Sequence, residues 1–457
     1  MPKDFFAERR RVVLIVLFVV ALLLRGAAVF ALEPQDIATY SESGAIARNL
    51  VEGRGYTFDF FGTRAENPLR SFLPPLFPAL IALCLQLPDP ARALGLIQAG
   101  LSAVTVVLVY LTAETLARSA RVGALAAAGA AVYPVFVVMC AYPPSLTLDT
   151  FLLIAFLLCV VVLAERMTWR WAAATGFALG VTLLARPMLV GFLPLVLLWL
   201  WLRSGSGAKR VLQIGAVVVL CAALPVLPWV VRATLIHGRP VFVSTNGGFV
   251  FWNGNNPFTT GSGHEVYTAR VAEYLGVPPD PQLPDVMEMR PYPLPPEVQA
   301  QLGALDELEM DRMLYRAGFQ FIREQPRRWL ELAATKLLAF WGFRSNIGAS
   351  YAASWAAYYK TVYLALLLVA GVGMALSLRH WRQWGVVYAL FGYYTLFYVV
   401  FHVQTRYRWE IEPYLLVFAA LAVSSCMRRG YDIQKHDFDR RRPAAGSEEP
   451  GDAAGGR

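Results

Sequence analysis

Residues 11–56, RVVLIVLFVVALLLRGAAVFAL followed by EPQDIATYSESGAIARNLVEGRGY, decide the fold. The first part is an apolar run long enough to cross a bilayer, since roughly 20 helical residues cover a hydrocarbon core of about 30 Å. A polar, acid-bearing segment follows at once, with Asp36 at its centre. Arg9, Arg10 and Arg11 precede the run, so the positive-inside tendency puts the N-terminus in the cytoplasm and Asp36 on the outer side. The run is long, carries Arg25 and lacks a small-x-small cleavage site before Glu33, and is therefore expected to stay as a first helix instead of leaving as a signal peptide. Arg25 is expected to snorkel to the outer headgroups; pointing at a buried anion is the other reading.

The composition of the whole chain agrees with a membrane class. Of 457 residues, 57% are hydrophobic and 16% charged, and the mean hydropathy is +0.47, which excludes the soluble globular classes. The net charge of +9 does not form a nucleic-acid patch, because Lys and Arg gather in short inter-helix loops and at the chain ends. Cys84, Cys140, Cys159, Cys221 and Cys426 all lie in apolar runs without a CxxC spacing, so neither a disulfide framework nor a thiolate zinc site is expected.

Four basic loops set the topology: ARSAR around Arg118 and Arg121, ERMTWR with Arg166 and Arg170, RSGSGAKR with Arg203, Lys209 and Arg210, and RHWRQW with Arg379 and Arg382. All should be cytoplasmic. With Asp36 outside, residues 94–117 must run inward, and residues 72–87, which hold Pro74 and Pro75, form a juxtamembrane or half-inserted helix. Further spans are expected at 122–141, 146–164, 171–186, 188–202, 211–231, 355–376, 384–401 and 411–426. Helices of about 15 residues rise only about 23 Å, so Arg186 and Pro187, at the junction of two such helices, should lie in a protein-lined recess below the outer surface. The fold class is thus an all-α polytopic membrane protein of about ten transmembrane helices, with juxtamembrane helices and an extracytoplasmic loop region. Residues 1–231 form an N-terminal membrane module containing the first outer loop, 33–72. Residues 232–351 form the outer loop region, 352–427 the last spans, and 428–457 a disordered cytoplasmic tail. Within 232–351, Met310, Leu314, Ala317 and Phe321 recur at helical spacing. After Pro326, Trp329, Leu332, Leu337 and Trp341 make an apolar stripe opposed by Glu331 and Lys336, the pattern of an amphipathic helix on the membrane.

The ionisable groups of the outer face are Asp36, Glu42, Glu66, Arg70, Asp149, Arg186, His264, Arg344, Arg406 and Arg408. Carboxylates together with guanidinium groups suit the transfer of a sugar from a phosphate-bearing lipid to a hydroxyl: the acid takes the acceptor's proton and the cations offset charge on the departing phosphate. Each residue has a plainer reading too. Asp36 can cap the helix that follows it. Asp149 can face a helix dipole, and Arg186 a lipid headgroup. Glu66 and His264 can ligate a divalent ion, but two residues do not make a metal motif. Arg406 and Arg408 flank Tyr407; in an extended segment they share a face, and in a helix they diverge by about 200°.

The order of these features resembles the polytopic C-type glycosyltransferases. The nearest likeness is to the bacterial glycosyltransferase family 39 group, relatives of protein O-mannosyltransferases and of the aminoarabinose transferase of lipid A. The matching pieces are the Asp36 and Tyr40 segment ending in GRGY, PPLFP, the ARP junction, NGGFVFWNGNNP, REQPRRWLELAATKLLAFW and RYRWEIEPYL, which together run from Arg11 to Cys426. The resemblance implies an inverting transfer from an undecaprenyl-phosphate-type donor to a hydroxyl of a glycan, lipid or protein, on the extracytoplasmic face of a bacterial plasma membrane. It implies Asp36 at the reaction centre, with Asp149 or Glu66 as a second acid. Arg70, Arg186, Arg344, Arg406 and Arg408 would meet the donor phosphate, and Tyr40, Asn255 and Asn256 the substrate. Many relatives carry Asp-Glu where this chain has Asp36 and Ile37, which leaves dependence on a divalent metal open; no other cofactor is implied. A polyprenyl-diphosphate glycan ligase or polymerase, and a lipid-linked sugar flippase, are the rival readings. The flippase would call for internal repeats and polar groups at mid-membrane.

Overall fold

Almost everything the computed structural model describes, residues 5–59, 67–257, 259, 304–342 and 353–441, is helical; the β pairing among them is an isolated antiparallel bridge between Phe58 and Leu69. The first span is α1 (Arg10–Ala31). Two short helices follow, α2 (Glu42–Val51) and α3 (Leu76–Cys84), and then the long α4 (Pro90–Ala117). At 9 residues α3 is too short to cross a bilayer, as expected of a helix entered through two prolines.

Along α1, Ala21, Arg25 and Val29 recur every four residues and are buried, while Val12, Ile15, Leu23 and Phe30 stay open, so one stripe packs and the remainder is left for lipid. Arg25 does neither of the things expected of it. Its guanidinium is wholly buried and donates to Ser102 Oγ (2.7 Å) and to the carbonyls of Ala21 (3.1 Å), Ala130 (3.0 Å) and Ala131 (2.8 Å). The reason lies in α5 (Ala120–Val132), which stops before Pro134 opens α6 (Pro134–Val138) at a 56° bend. A proline has no N–H to offer the carbonyl four residues back. Arg25 caps the helix end thus exposed inside the bundle.

The bundle continues with α7 (Leu146–Arg166) and α8 (Trp169–Leu183). A 3-10 turn at Pro187–Phe192 leads into α9 (Leu193–Ser204), followed by α10 (Ala208–His237). Helices α8 and α10 pack at very short range because Gly176 and Gly180 face the carbonyls of Val218 and Ala222; a Cβ there would lie 2.4 and 2.2 Å from those oxygens. At one end of the bundle Arg10 reaches Glu114 (2.7 Å), and Arg118 and Arg203 both approach Glu165 (3.9 and 3.8 Å). The basic loops read as one face of the membrane therefore do share an end.

At the other end sits a helical lobe of α11 (Gly247–Gly254), α12 (Glu307–Glu324) and α13 (Pro326–Phe340). An Asp306–Glu309 capping box starts α12, and Pro326 starts α13 at the helix position where a missing N–H costs nothing. Met310, Leu314 and Phe321 are buried as their spacing predicts; Met310 and Leu314 pack with Ile46 of α2 and with Tyr56, Phe58, Leu69 and Phe72. Glu307 ties the lobe down, accepting the backbone N–H groups of Arg70 (2.6 Å) and Ser71 (3.0 Å) and the hydroxyl of Thr245. On α13 the stripe turns out differently: Leu332, Lys336, Ala339 and Phe340 are buried and Leu337 is open, so the lysine, not the leucine beside it, faces inward.

The chain ends with α14 (Ala353–Ser377), α15 (Trp381–Val400), the single turn α16 (Arg406–Trp409) and α17 (Glu412–Arg441), which runs on past residue 427. The Tyr388 hydroxyl reaches back to Ser377 Oγ (2.6 Å) and the Met374 carbonyl (2.8 Å), so α15 folds back on α14. Among the described residues six helical stretches are long and apolar enough to cross a membrane, or seven with the bent α5–α6 pair; Ala357–Val400 counts once although it holds the α14–α15 hairpin. A total of ten is not reached by length alone, because α8 has only 15 residues and the apolar part of α17 is Glu412–Met427.

Candidate functional site

Four separate segments meet at the Asp36 end of the bundle. The first is the loop after α1. Asp36 opens a tight turn in which its carboxylate accepts the Ala38 N–H (3.0 Å) and the Thr39 hydroxyl (2.7 Å), while its carbonyl accepts the Tyr40 N–H (3.0 Å). Capping of α2 falls to Ser41, whose hydroxyl accepts from Gly44. Ile37 is buried with Phe77 of α3 and with Leu148 and Leu152 of α7, which fixes the turn against α7 and leaves the Asp36 carboxylate open to solvent. Burial pushes the Tyr40 phenol up from its ordinary pKa and the nearby Arg406 guanidinium pulls it back, so this loop lies within electrostatic reach of the last segment.

The second segment is the start of α7, where Ser145 donates to Asp149 Oδ2 (2.6 Å) and Asp149 is only 1% exposed. The third is the break between α8 and the 3-10 turn, held to α3 by the Leu76 N–H on the Leu184 carbonyl (3.1 Å). Here Arg186 Nη2 meets Asp149 Oδ2 (2.9 Å) and Glu410 Oε1 together. The fourth is residues 401–411. Glu410, 1% exposed, accepts the Tyr394 hydroxyl (3.0 Å). The Tyr407 ring lies 5.9 Å from the Arg186 guanidinium and 5.7 Å from that of Arg406, and stacks on Tyr398 at 4.7 Å.

The buried cluster sets two carboxylates against one guanidinium. Asp149 Oδ1, Arg186 Nε and the Tyr398 hydroxyl are buried without a hydrogen-bond partner among the described residues. Each such atom costs about 1–3 kcal/mol, which a purely structural cluster would be expected to avoid. Arg186 already supplies the positive charge between Asp149 and Glu410 that a divalent ion would bring, and among the described residues no three His, Cys, Asp or Glu side chains come together as a metal site.

Of the residues singled out from the sequence, Asp149 and Arg186 touch, Arg186 and Arg406 both flank the Tyr407 ring, and Tyr40 lies within electrostatic reach of Arg406; Asp36 opens the turn that carries Tyr40. Arg408 does not join them. Residues 406–409 form a helical turn, so Arg408 points away from Arg406 into the core, where it binds Glu412, the Tyr359 hydroxyl and the Phe340 carbonyl. Arg70 is exposed, with its backbone bonded to Glu307 and Arg232. Asn255 and Asn256 end α11 with their amides turned into the protein: Asn255 bonds Phe251, Val400, Trp329 and Lys336, and Asn256 bonds the Trp252 carbonyl and the Thr259 N–H. Glu66, His264 and Arg344 lie outside the described residues. Sequence reasoning missed Glu410 and Tyr407, although both stand in the RYRWEIEP stretch, whose acids at 410 and 412 carried the signal.

Comparison with known proteins bears on this geometry. Residues 73–229 match the family model described as dolichyl-phosphate-mannose-protein mannosyltransferase. No curated protein matches the sequence. Among solved structures, the oligosaccharyltransferase of Archaeoglobus fulgidus in its apo form aligns over 97% of this chain with TM-score 0.51 and 12% identity; this chain spans about half of that one, 53%. ArnT from Cupriavidus metallidurans, bound to undecaprenyl phosphate, aligns over 94% of this chain and 81% of its own with TM-score 0.37 and 17% identity. The chain is a multi-pass membrane protein, almost wholly helical among the described residues, and it shares the fold of that oligosaccharyltransferase.

Proposed function

We propose that this protein is a glycosyltransferase that moves a sugar from a polyprenyl-phosphate carrier to a hydroxyl acceptor, with inversion, on the extracytoplasmic face of a bacterial plasma membrane. The observation that supports the reading, on a chain whose residues 73–229 match the model described as dolichyl-phosphate-mannose-protein mannosyltransferase, is that the turn opened by the exposed Asp36 carries Tyr40 into electrostatic reach of Arg406, and Arg406 shares the Tyr407 ring with the Asp149–Arg186–Glu410 cluster. In the proposed step the acceptor oxygen attacks the anomeric carbon and gives its proton to Asp36. The bond from that carbon to the phosphate oxygen breaks, and its electron pair leaves with the polyprenyl phosphate. Asp36 already accepts two hydrogen bonds, but two carboxylate oxygens offer about four lone-pair sites, so room remains for the acceptor hydroxyl. Arg406, half-buried beside Tyr40, offsets charge on the leaving phosphate. Arg186, held between two acids, serves the phosphate less directly by fixing Tyr407 and with it the turn that presents Arg406.

The test is single-turnover release of polyprenyl phosphate from a panel of polyprenyl-phosphate sugars by the purified full chain. Asp36→Asn should keep its melting temperature and lose transfer by about 100-fold or more, the scale of a lost general base. Transfer at the wild-type rate in that variant would remove Asp36 from the mechanism, and absence of release from every donor with the native protein would remove the reading itself.

A further inference from the structure

The one fully buried lysine among the described residues stands outside the cluster just discussed. Lys336 of α13 is 0% exposed, and burial lowers its pKa to about 7; among the described residues no carboxylate pairs with it. A buried cation without a counter-ion costs several kcal/mol, so what it touches is informative. Its ammonium donates to the Phe401 carbonyl (2.8 Å) and to Asn255 Oδ1 (3.1 Å). Asn255 in turn donates to the Val400 carbonyl (2.8 Å) and takes the Trp329 indole N–H (3.0 Å).

Val400 is the last residue of α15 and Phe401 its C-cap, where unsatisfied carbonyls and the negative end of the helix dipole lie. That dipole end is the compensation the lysine receives. Two further features converge on the same carbonyl. Gly254 lies so close that a Cβ would sit 1.7 Å from the Phe401 oxygen, and Phe401 has φ −89° and ψ −108°, outside the helical and extended regions. Residues 402–405 then lead directly to Arg406. The α11–α13 lobe thus grips the chain at the point where α15 hands over to the site.

We infer that Lys336, with Asn255, is a positioning residue of the transfer site: it caps α15 from the lobe and so sets where the turn carrying Arg406 stands relative to the membrane bundle. The inference rests on the reading of Arg406 as the group facing the donor phosphate. It assigns a role to the lobe that is not acceptor binding, and to Lys336 one that needs no contact with substrate.

The experiment uses the full chain in nanodiscs, titrated with undecaprenyl phosphate, together with hydrogen exchange of the peptide spanning 401–406. Lys336→Met keeps the length and apolar stem but removes both donated bonds. It should weaken undecaprenyl phosphate binding by about tenfold and speed exchange at 401–406, while Lys336→Arg recovers at least part of both, the expected scale for a lost charged hydrogen bond. Where donor sugar is turned over, KM should rise with kcat within about threefold, as for a group that places the donor and does no chemistry. Wild-type affinity and exchange in Lys336→Met would overturn the inference, and so would faster exchange spread evenly over the whole chain, the mark of a purely structural lysine. If the native protein does not bind undecaprenyl phosphate, the donor class proposed above fails, whereas exchange confined to 401–406 still reports whether Lys336 holds the turn.

Discussion

Two inward-facing arginines, the buried Arg408 and the partly exposed Arg186, each face a glutamate of the short stretch 410–412, and they differ in how well their charges and hydrogen bonds close. Arg408 pairs one-to-one with Glu412 (3.0 Å), gives its other donors to the Tyr359 hydroxyl (2.6 Å) and the Phe340 carbonyl, and lies 3.7 Å from the Tyr363 ring centroid. Glu412 is completed by the hydroxyls of Tyr359 (2.6 Å) and Tyr133 (2.8 Å), and Tyr359 also takes the Trp409 N–H (2.7 Å). No side-chain atom of Arg408 or Glu412 is buried without a partner. Arg186 has two carboxylates and leaves its own Nε and Asp149 Oδ1 unpartnered. A closed network spends all its bonding capacity on holding α14, α16 and α17 together. The open one, with two acids on one guanidinium beside Tyr407 and Arg406, retains capacity for something that comes and goes.

The largest expected effect breaks the closed network. Arg408→Met leaves Glu412 buried without its cation, a loss of about 3–5 kcal/mol. The variant should show a collapsed melting temperature and aggregate on extraction into detergent, which size-exclusion chromatography and a thermal scan would reveal. A well-folded but inactive Arg408→Met would abolish the distinction, because it would place Arg408 back among the groups that serve the donor.

The open network should respond in the opposite way. Glu410→Gln keeps an acceptor for the Tyr394 hydroxyl and leaves Arg186 paired one-to-one with Asp149, so stability should change by no more than about 1 kcal/mol. Transfer should fall by about 100-fold, because the clamp on Tyr407 and the Arg406 turn loosens and small misplacements of positioning groups carry costs of that size. Stability measured by denaturation and release of polyprenyl phosphate should therefore separate in Glu410→Gln and fall together in Arg408→Met. If they fall together in both, the two clusters are both structural.

Much of this was legible in the chain, and the illegible part has a common cause. Apolar run length located six or seven membrane-crossing stretches of the ten spans expected, and the basic loops a shared end, since both follow from local composition acting against a bilayer. Arg25 was misread because its role depends on a helix end that Pro134 creates more than a hundred residues later. Arg406 and Arg408 could not be told apart until residues 406–409 were seen to be helical, since the same two residues share a face in one conformation and oppose each other in the other. Ile37 was noted as a departure from an acidic pair; its burial on α7 gives the position a packing role. Glu410 was passed over, and Lys336 was assigned to the polar face of its helix, because a charge in a short interhelical segment or an amphipathic helix is ordinarily on the wet face, and only the tertiary packing turns these two inward.

The smallest expected effect tests what a half-buried acid does outside either arginine cluster. Asp311 of α12 accepts the Gly248 N–H (2.6 Å), and burial pushes its pKa up to about 6 although that hydrogen bond and Arg312 favour the charged form. Because the folded value lies above the unfolded one, the native state holds a proton that the unfolded chain has already released between about pH 4 and 6. Stability is therefore greatest below that window and declines as pH rises through it, by on the order of 1 kcal/mol once partial exposure is allowed for. Asp311→Asn should flatten the dependence of the denaturation midpoint across this window while leaving the Arg408–Glu412 network untouched. A wild-type midpoint that rises between pH 4 and 6, and rises equally in Asp311→Asn, would show that paired carboxylates govern acid stability here and that Asp311 is charged in the folded protein like any surface acid.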